Sequence, residues 1–231
     1  MLESTSVGDF IFVETQGQVQ SGPFTGMTLL REQAWADGAL APMLLGCHEE
    51  ELHVVLEEEI LRLQVMPHPI IVNIGCAEGY YAVGLAKRLP QATIYAIDVN
   101  DKCLELAKKT ADANGVSLVI GEELGKIFEC SDLIVSDCEG AEVLYLNLDE
   151  HPGLRNTTMI VEVHTNINQD THTILYERFA RTHHITCVFE GGRNPNKFDM
   201  LVGKPSAFRW QAVCENRPCL MSWFVMRPKC R

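Results

Sequence analysis

From residue 70 onward, short apolar runs alternate with amphipathic segments, and this alternation constrains the fold more than any other feature of the chain. Short apolar runs suit buried strands and the segments between them suit helices, which is the pattern of βαβ units around a parallel sheet. We therefore expect an α/β fold with a mostly parallel seven-stranded sheet, an antiparallel last strand and helices on both faces. The expected strands are 70–74, 93–97, 117–120, 133–136, 159–163, 185–189 and 223–226.

Residues 1–66 have a different character and predict an N-terminal helical extension or cap, with the sheet domain in residues 67–231. A β-like stretch at Asp9–Val13 precedes a turn around Gly22-Pro23. Apolar residues then recur at three- and four-residue intervals between Leu52 and Leu63, which predicts an amphipathic helix with an acidic outer face. Asp101 is expected to cap a later helix that stops at Asn114-Gly115.

The loop after the first expected strand contains Gly75 and Gly79 in a G-x-x-x-G pattern. Ligands of open α/β sheets bind at the carboxyl ends of the strands, and glycines let the backbone approach them closely. A dinucleotide site needs G-x-G-x-x-G, whereas here Ala77 takes the middle position and the Glu78 carboxylate would repel a pyrophosphate. S-adenosylmethionine (SAM) has a sulfonium and an ammonium group and no phosphate, so the loop favours SAM in a Rossmann-like domain.

Acidic residues after the next two strands extend this cofactor site. Asp98 ends the second strand, where a carboxylate can accept hydrogen bonds from both ribose hydroxyls. Glu122 follows the third strand and is a candidate for the adenine amino group. The complete set of candidate cofactor residues is Asn73, Gly75, Cys76, Ala77, Glu78, Gly79, Tyr80, Asp98, Val99, Glu122 and Asp137.

Candidate catalytic residues follow the fourth and fifth strands, which end at the same edge of the sheet. Asp137 and Glu139 lie in the segment D-C-E-G-A-E, and His164 ends an E-V-H sequence. A histidine near its ordinary pKa of ~6.5 suits removal of a proton from a hydroxyl. We expect His164 to be the general base, with Asp137 and Glu139 orienting either the substrate or His164. The same three side chains could instead hold a divalent metal, although no metal is part of the primary interpretation.

These motifs together resemble the FkbM-type family of SAM-dependent class I methyltransferases. The resemblance covers about residues 70–227, and the D-x-E-G-x-E segment from Asp137 to Glu142 is its most specific part. It implies a class I methyltransferase fold and O-methylation of a hydroxyl on a small molecule or sugar. A protein methyltransferase, or a SAM-binding protein without catalysis, remains an alternative. The N-terminal extension would shape the acceptor pocket or mediate a homodimer.

Composition limits the partners. The formal net charge is −12, which argues against nucleic acid because a binder needs a basic stripe, and also against anionic membranes. No apolar run is long enough for a membrane span and the first residues do not resemble a signal peptide, so a cytoplasmic location is expected. His183 and His184 are expected after a helix end, and His48 at the surface or in a cap.

Overall fold

The computed structural model describes residues 6–33, 39–121 and 124–229. Its sheet has seven strands in the order β3-β2-β1-β4-β5-β7-β6, with β7 antiparallel to both of its neighbours and the pairs from β3 to β5 parallel. The expected mixed α/β sheet is confirmed. The strands are β1 Ile70–Ile74, β2 Thr93–Ile97, β3 Val119–Ile120, β4 Leu133–Ser136, β5 Thr158–Glu162, β6 His183–Phe189 and β7 Ser222–Pro228.

Helices connect and cover these strands. The α-helices of the described residues are α1 Val7–Thr15, α2 Leu40–Leu45, α3 His53–Gln64, α4 Tyr80–Arg88, α5 Asp101–Asn114, α6 Leu124–Phe128, α7 Glu142–Tyr145, α8 Thr171–Phe179 and α9 Ser206–Ala212. Short 3₁₀ helices span Glu50–Leu52, Pro152–Asn156, Pro195–Lys197 and Asp199–Leu201. In the part of the chain that the structure describes, no helix is long and apolar enough to cross a membrane.

Two apolar clusters lie on opposite faces of the sheet, because alternate strand residues point to opposite sides. One cluster contains Ile71 and Val135 and extends into α2, α3 and α4; the other contains Val72 and Ile134 and extends into α8. Ile11 of α1 is fully buried in the first cluster. The N-terminal segment therefore shares its core with the sheet, and we propose that residues 1–66 act as a cap built onto the catalytic domain.

Three local expectations were wrong. The Asp9–Val13 stretch lies inside helix α1, because Ser6 caps the helix by accepting from Asp9 N and the apolar residues do not alternate with polar ones. Asn100, and not Asp101, caps α5 by accepting from Lys102 N. His183 and His184 follow the end of α8, as expected, but strand β6 begins at His183 and not at Ile185, and His183 is buried.

Strand β7, the last strand in the chain, is not the edge strand of the sheet. Strand β7 lies between β5 and β6, so the edge of the sheet is β6. The β7 residues Trp223, Phe224 and Val225 are all buried, as expected of a strand that is covered on both faces and paired on both sides.

Candidate functional site

The loop between β1 and α4 has a backbone that only glycine allows at its first position. Gly75 has a φ of +71°, and a Cβ atom there would lie 1.6 Å from the carbonyl oxygen of Asp137. Gly79 has a φ of +90° and lies against Ala107 of α5, where a Cβ would be 3.1 Å from the Ala107 Cα. The two glycines thus bring the loop against the end of β4 and pack α4 against α5.

Asp98 fixes this loop from the neighbouring strand. Its Oδ2 accepts a hydrogen bond of 3.0 Å from Ala77 N, and its Oδ1 accepts one of 2.9 Å from Asn100 N. A carboxylate has about four lone-pair sites, so each oxygen can accept one further bond. Asp98 also lines the adjoining cavity. The side chain can therefore hold the loop and accept two ligand hydroxyls at the same time.

A cavity of about 310 Å³ opens above these strand ends. Four carboxylates line it and, among the described residues, no lysine or arginine does. The remaining surface is largely apolar, with Ile97, Val99 and Tyr145. This composition is suited to a ligand with an apolar ring and positive charge and is unsuited to a pyrophosphate. The acidic lining residues are Glu78, Asp98, Asp137 and Glu139.

The structure separates the candidate cofactor residues into two groups. Gly75, Ala77, Glu78, Asp98, Val99 and Asp137 line the cavity. Asn73, Cys76, Gly79 and Tyr80 are not among its lining residues. Asn73 is buried in β1 and Cys76 is buried within the loop, and Tyr80 packs its ring edge-on against Phe24 and His48. Glu122 lies outside the described residues.

A second cavity, of about 580 Å³, adjoins the first, and we call it the acceptor cavity. Ala39, His48, Asp137 and Glu139 line both cavities, so ligands in the two would meet at these residues. Glu162 and His164 line only the acceptor cavity of the two. The expected convergence of the fourth and fifth strand ends is therefore present.

His164 is held by a glutamate that sequence reasoning did not assign to the site. Its Nδ1 lies 2.5 Å from Oε1 of Glu142, which is fully buried and also accepts from Gly140 N. Its Nε2 lies 3.5 Å from Asp137 Oδ1 and 3.5 Å from Glu139 Oε2. With a proton on Nδ1 donated to Glu142, the Nε2 lone pair points toward the two carboxylates at the junction of the cavities.

The charges around His164 counteract the effect of burial on its pKa. Burial disfavours the imidazolium, but the hydrogen bond that His164 donates to Glu142 and the charges of Asp137 and Glu139 raise the pKa of His164 above its ordinary value. Burial, together with the charge of Glu49, raises the pKa of Asp137 to about 6. The site therefore contains more negative charge than its fixed cations balance.

Another part of the acceptor cavity's lining contains Arg217, a residue that the sequence analysis did not assign to the site. Arg217 donates to Glu162 over 2.5 Å and to Glu49 and Glu215 over 2.8 Å. His48 was expected at the surface, but it is mostly buried and lies 3.3 Å from Glu215. Apart from Glu162 in β5, these residues lie outside helices and strands, so no periodicity marks them in the sequence. Their only sequence signal is charge next to apolar residues, as in the Glu49–Leu52 stretch.

Two groups of side chains in the described residues have the composition of a metal site. Asp137, Glu162 and His164 each offer a ligand atom, and these atoms lie within 4.8 Å of one another; so do those of His48, Glu49 and Glu215. The arrangement fits a metal poorly, because the guanidinium of Arg217 already binds Glu162, Glu49 and Glu215 and would repel a dication.

Comparison with known proteins finds a family match for the part of the chain from β1 to β4. A family described as a methyltransferase domain matches residues 71–136, from β1 to the end of β4. The release factor glutamine methyltransferase of Flavobacterium psychrophilum is 38% identical over 84 residues, which are 36% of this chain and 29% of that protein. The malonyl-[acyl-carrier protein] O-methyltransferase of Priestia megaterium is 44% identical over 69 residues, 29% of this chain and 25% of that protein.

A third relative bears on the partners. The tRNA (guanine-N(7)-)-methyltransferase of Porphyromonas gingivalis is 36% identical over 52 residues, 22% of this chain and 21% of that protein. The chain thus covers less than a third of each of these relatives. Because one of them is named for a tRNA, the exclusion of nucleic acid from net charge alone does not hold. Residues 71–136 are thus similar to a methyltransferase domain, and this similarity supports the expected SAM cofactor.

Proposed function

We propose that the protein transfers a methyl group from SAM to a hydroxyl oxygen of a small molecule or sugar, as FkbM-type enzymes do. The observation that carries this proposal is the junction of the two cavities at Asp137 and Glu139, with His164 Nε2 facing it. SAM supplies an electrophilic methyl group when it is bound. Asp98 would accept from its ribose hydroxyls, and the carboxylates of the first cavity would surround its positive charges.

The protein's own groups would position and deprotonate the acceptor. An acceptor hydroxyl at the junction can donate to His164 Nε2, which takes the proton as the new C–O bond forms. Glu142 holds the imidazole in the required tautomer and stabilises the imidazolium that results. Burial of both residues keeps the ring in one orientation, since His164 is 3% exposed and Glu142 is fully buried. Positioning supplies much of the remaining acceleration.

A protein acceptor is the second candidate, and it is favoured by the match to a release factor glutamine methyltransferase. That match, however, covers only 36% of this chain and 29% of the relative. The segment after β4 also bears on a nucleic-acid acceptor. It reads Asp137-Cys138-Glu139-Gly140, whereas methyltransferases that modify nucleic-acid bases are expected to have the element [DNS]-P-P-[YF] there. We therefore place the small hydroxylated acceptor first.

The proposal is tested by replacing His164 and measuring both halves of the reaction. We expect His164→Ala to lower the formation of S-adenosylhomocysteine from an acceptor panel by ~10²–10⁴-fold, the usual contribution of a general base. Binding of SAM should stay within about twofold, because His164 does not line the cofactor cavity. His172→Ala is a matched control on α8, away from both cavities. Unchanged turnover in His164→Ala would remove His164 as the base.

A further inference from the structure

The acceptor cavity has a marked excess of carboxylates. Arg217 is the one lysine or arginine among its described lining residues, and His48 and His164 are the only other basic groups there. Even with both imidazoles protonated, the carboxylates outnumber the cations. When His164 is neutral, as a base must be, the excess is larger. The carboxylates that line the cavity are Glu49, Asp137, Glu139, Glu162 and Glu215.

Neighbouring cations do not remove this excess. Arg217 is shared by Glu49, Glu162 and Glu215. The next guanidinium, that of Arg193, binds Glu215 and also Glu51, which adds a further carboxylate to the network. His48 contributes at most one charge: burial opposes it, while Glu215 and Glu49 raise its pKa. Four glutamates thus share two guanidiniums and one imidazole, and among the described residues Asp137 and Glu139 form ion pairs with His164 alone.

Two of the carboxylates have unused hydrogen-bonding capacity where the cavity approaches His164. Glu162 is 3% exposed and uses Oε1 to accept from Arg217, while its Oε2 has no hydrogen-bond partner among the described residues. Asp137 Oδ1 is buried and has no hydrogen-bond partner among them either. Ligand atoms of Asp137, Glu162 and His164 lie within 4.8 Å of one another. Burial and the charge of Asp137 raise the pKa of Glu162, as expected of carboxylates that face each other without enough positive charge.

We propose that the acceptor is a hydroxylated amine, whose ammonium group is bound by Asp137 and Glu162 beside the hydroxyl that His164 deprotonates. This inference rests on the proposed function and names the substrate class of its acceptor cavity. An ammonium has three donors, which can satisfy Asp137 Oδ1 and Glu162 Oε2 together and leave one for another acceptor. It carries a single charge and is therefore better tolerated near Arg217 than a divalent metal.

The positive charge of SAM does not account for the unmatched carboxylates. Asp137 and Glu139 line the cofactor cavity and would lie near the sulfonium, but Glu162 lines the acceptor cavity and not the cofactor cavity. SAM also has its own carboxylate, so it brings a net charge of only about one. A cation from the acceptor is still needed beside Glu162.

The ammonium also explains why oxygen would be the methylated atom. Bound to two carboxylates, the amine stays protonated and has no lone pair for attack. In the transfer, the C–S bond of SAM breaks, the C–O bond forms and the hydroxyl proton moves to His164 Nε2. The products are the methyl ether, S-adenosylhomocysteine and an imidazolium, while the ammonium keeps its protons and its charge.

The test uses three probes that share a 1,2-diol and differ at one carbon: 3-amino-1,2-propanediol, glycerol and glycerate. Their affinities are measured by calorimetry at fixed ionic strength and pH 7.5, on the full chain saturated with S-adenosylhomocysteine. We expect the amine to bind at least tenfold more tightly than glycerol, and glycerate to bind more weakly than either. The preference should disappear in Glu162→Gln. It should persist in Glu177→Gln, which makes the same charge change at an exposed position of α8.

Each result decides the matter. Equal affinities, absence of binding by all three probes, or an unchanged amine preference in Glu162→Gln would overturn the inference. Glycerol binding that requires Mg²⁺ and is abolished by EDTA would assign the carboxylates to a metal instead. If Glu162→Gln does not fold, Asp137→Asn takes its place for the binding measurement. Failure of S-adenosylhomocysteine to bind would refute the proposed function itself, whereas its binding without an amine preference would refute only this inference.

Discussion

Glu142 determines how His164 can act. It is the buried partner of His164 Nδ1, and its second oxygen, Oε2, has no hydrogen-bond partner among the described residues. A buried carboxylate with spare acceptor capacity strongly favours a proton on the facing nitrogen. That preference leaves Nε2 as the basic nitrogen at the cavity junction. Glu142 is therefore a positioning residue whose effect should be visible in the pH dependence of the reaction.

We predict that Glu142→Gln shifts the acidic limb of the pH–rate profile to lower pH. The base works only when neutral, so the rate falls as the pH falls through the raised pKa of His164. Removal of the Glu142 charge takes away one cause of that raised pKa, and the limb must follow it downward. The amide still accepts a hydrogen bond, so the fold should be retained. The profile is measured as kcat/KM against pH, with Glu177→Gln as the control.

A limb that does not move would show that Glu142 has only a structural role. A shift to higher pH would contradict the sign of the interaction. The same sign applies to stability: because its folded pKa is raised, His164 stabilises the fold fully below its unfolded pKa of ~6.5 and loses this contribution as the pH rises through the folded pKa.

The sequence allowed some of the site to be predicted, and the reason is local. Asp98 and Gly75 follow strands that are mostly apolar, so their positions at the carboxyl edge could be derived from spacing. Glu142 could not be assigned, because it opens a four-residue helix too short to show periodicity. Arg217 and Glu49 could not be assigned either, since their meeting depends on how distant segments pack over the sheet.

At the scale of elements, the strands were predicted better than the short helices. Strands β1, β2 and β4 have the expected bounds, because turn residues flank their apolar runs. Helices α2, α6 and α7 have six residues or fewer, which is less than two turns. Their sequences are too short to show helical periodicity. The β1–α4 loop is the element that links fold to cofactor, because its glycine is in contact with the end of β4.

We predict that Gly75→Ala destabilises the protein much more than Gly203→Ala. Both glycines have positive φ, of +71° and +80°, so both substitutions incur the ~1–2 kcal/mol expected of a left-handed alanine. Only at Gly75 would the new Cβ meet a backbone atom, at 1.6 Å, whereas nothing lies within 4 Å at Gly203. Gly75→Ala should also abolish binding of S-adenosylhomocysteine. Denaturant unfolding and calorimetry check this, and equal losses in the two variants would contradict the close contact.

At the scale of the whole molecule, Arg217 joins three distant parts of the chain. Its guanidinium binds Glu49 from the N-terminal segment, Glu162 at the end of β5 and Glu215 from the segment after α9. It also lies over the ring of Trp223 in β7, 4.8 Å from its centroid. These contacts close the acceptor cavity, so the N-terminal segment takes part in the site as well as in the core.

We predict that Arg217→Met lowers the stability of the protein by ~3–5 kcal/mol, the usual effect of removing one partner of a buried ion pair. The loss arises because three mostly buried carboxylates are left facing one another. For a chain of this length it corresponds to a fall in the unfolding midpoint of on the order of 10 °C. Adding Glu49→Gln to Arg217→Met should recover part of the loss. The exposed Arg181 supplies the control, Arg181→Met, which should be nearly neutral; a neutral Arg217→Met would contradict the account.

The central claim is that the cavity above β1, β2 and β4 binds SAM. The most direct measurement is thermal unfolding of the full chain with SAM, S-adenosylhomocysteine or NAD. At a hundredfold excess over the dissociation constant a ligand stabilises by ~2.7 kcal/mol, which corresponds to a rise of roughly 5–11 °C in the midpoint. We predict this rise with SAM and with S-adenosylhomocysteine and none with NAD. A rise with NAD alone, or no rise with either adenosyl ligand, would contradict it.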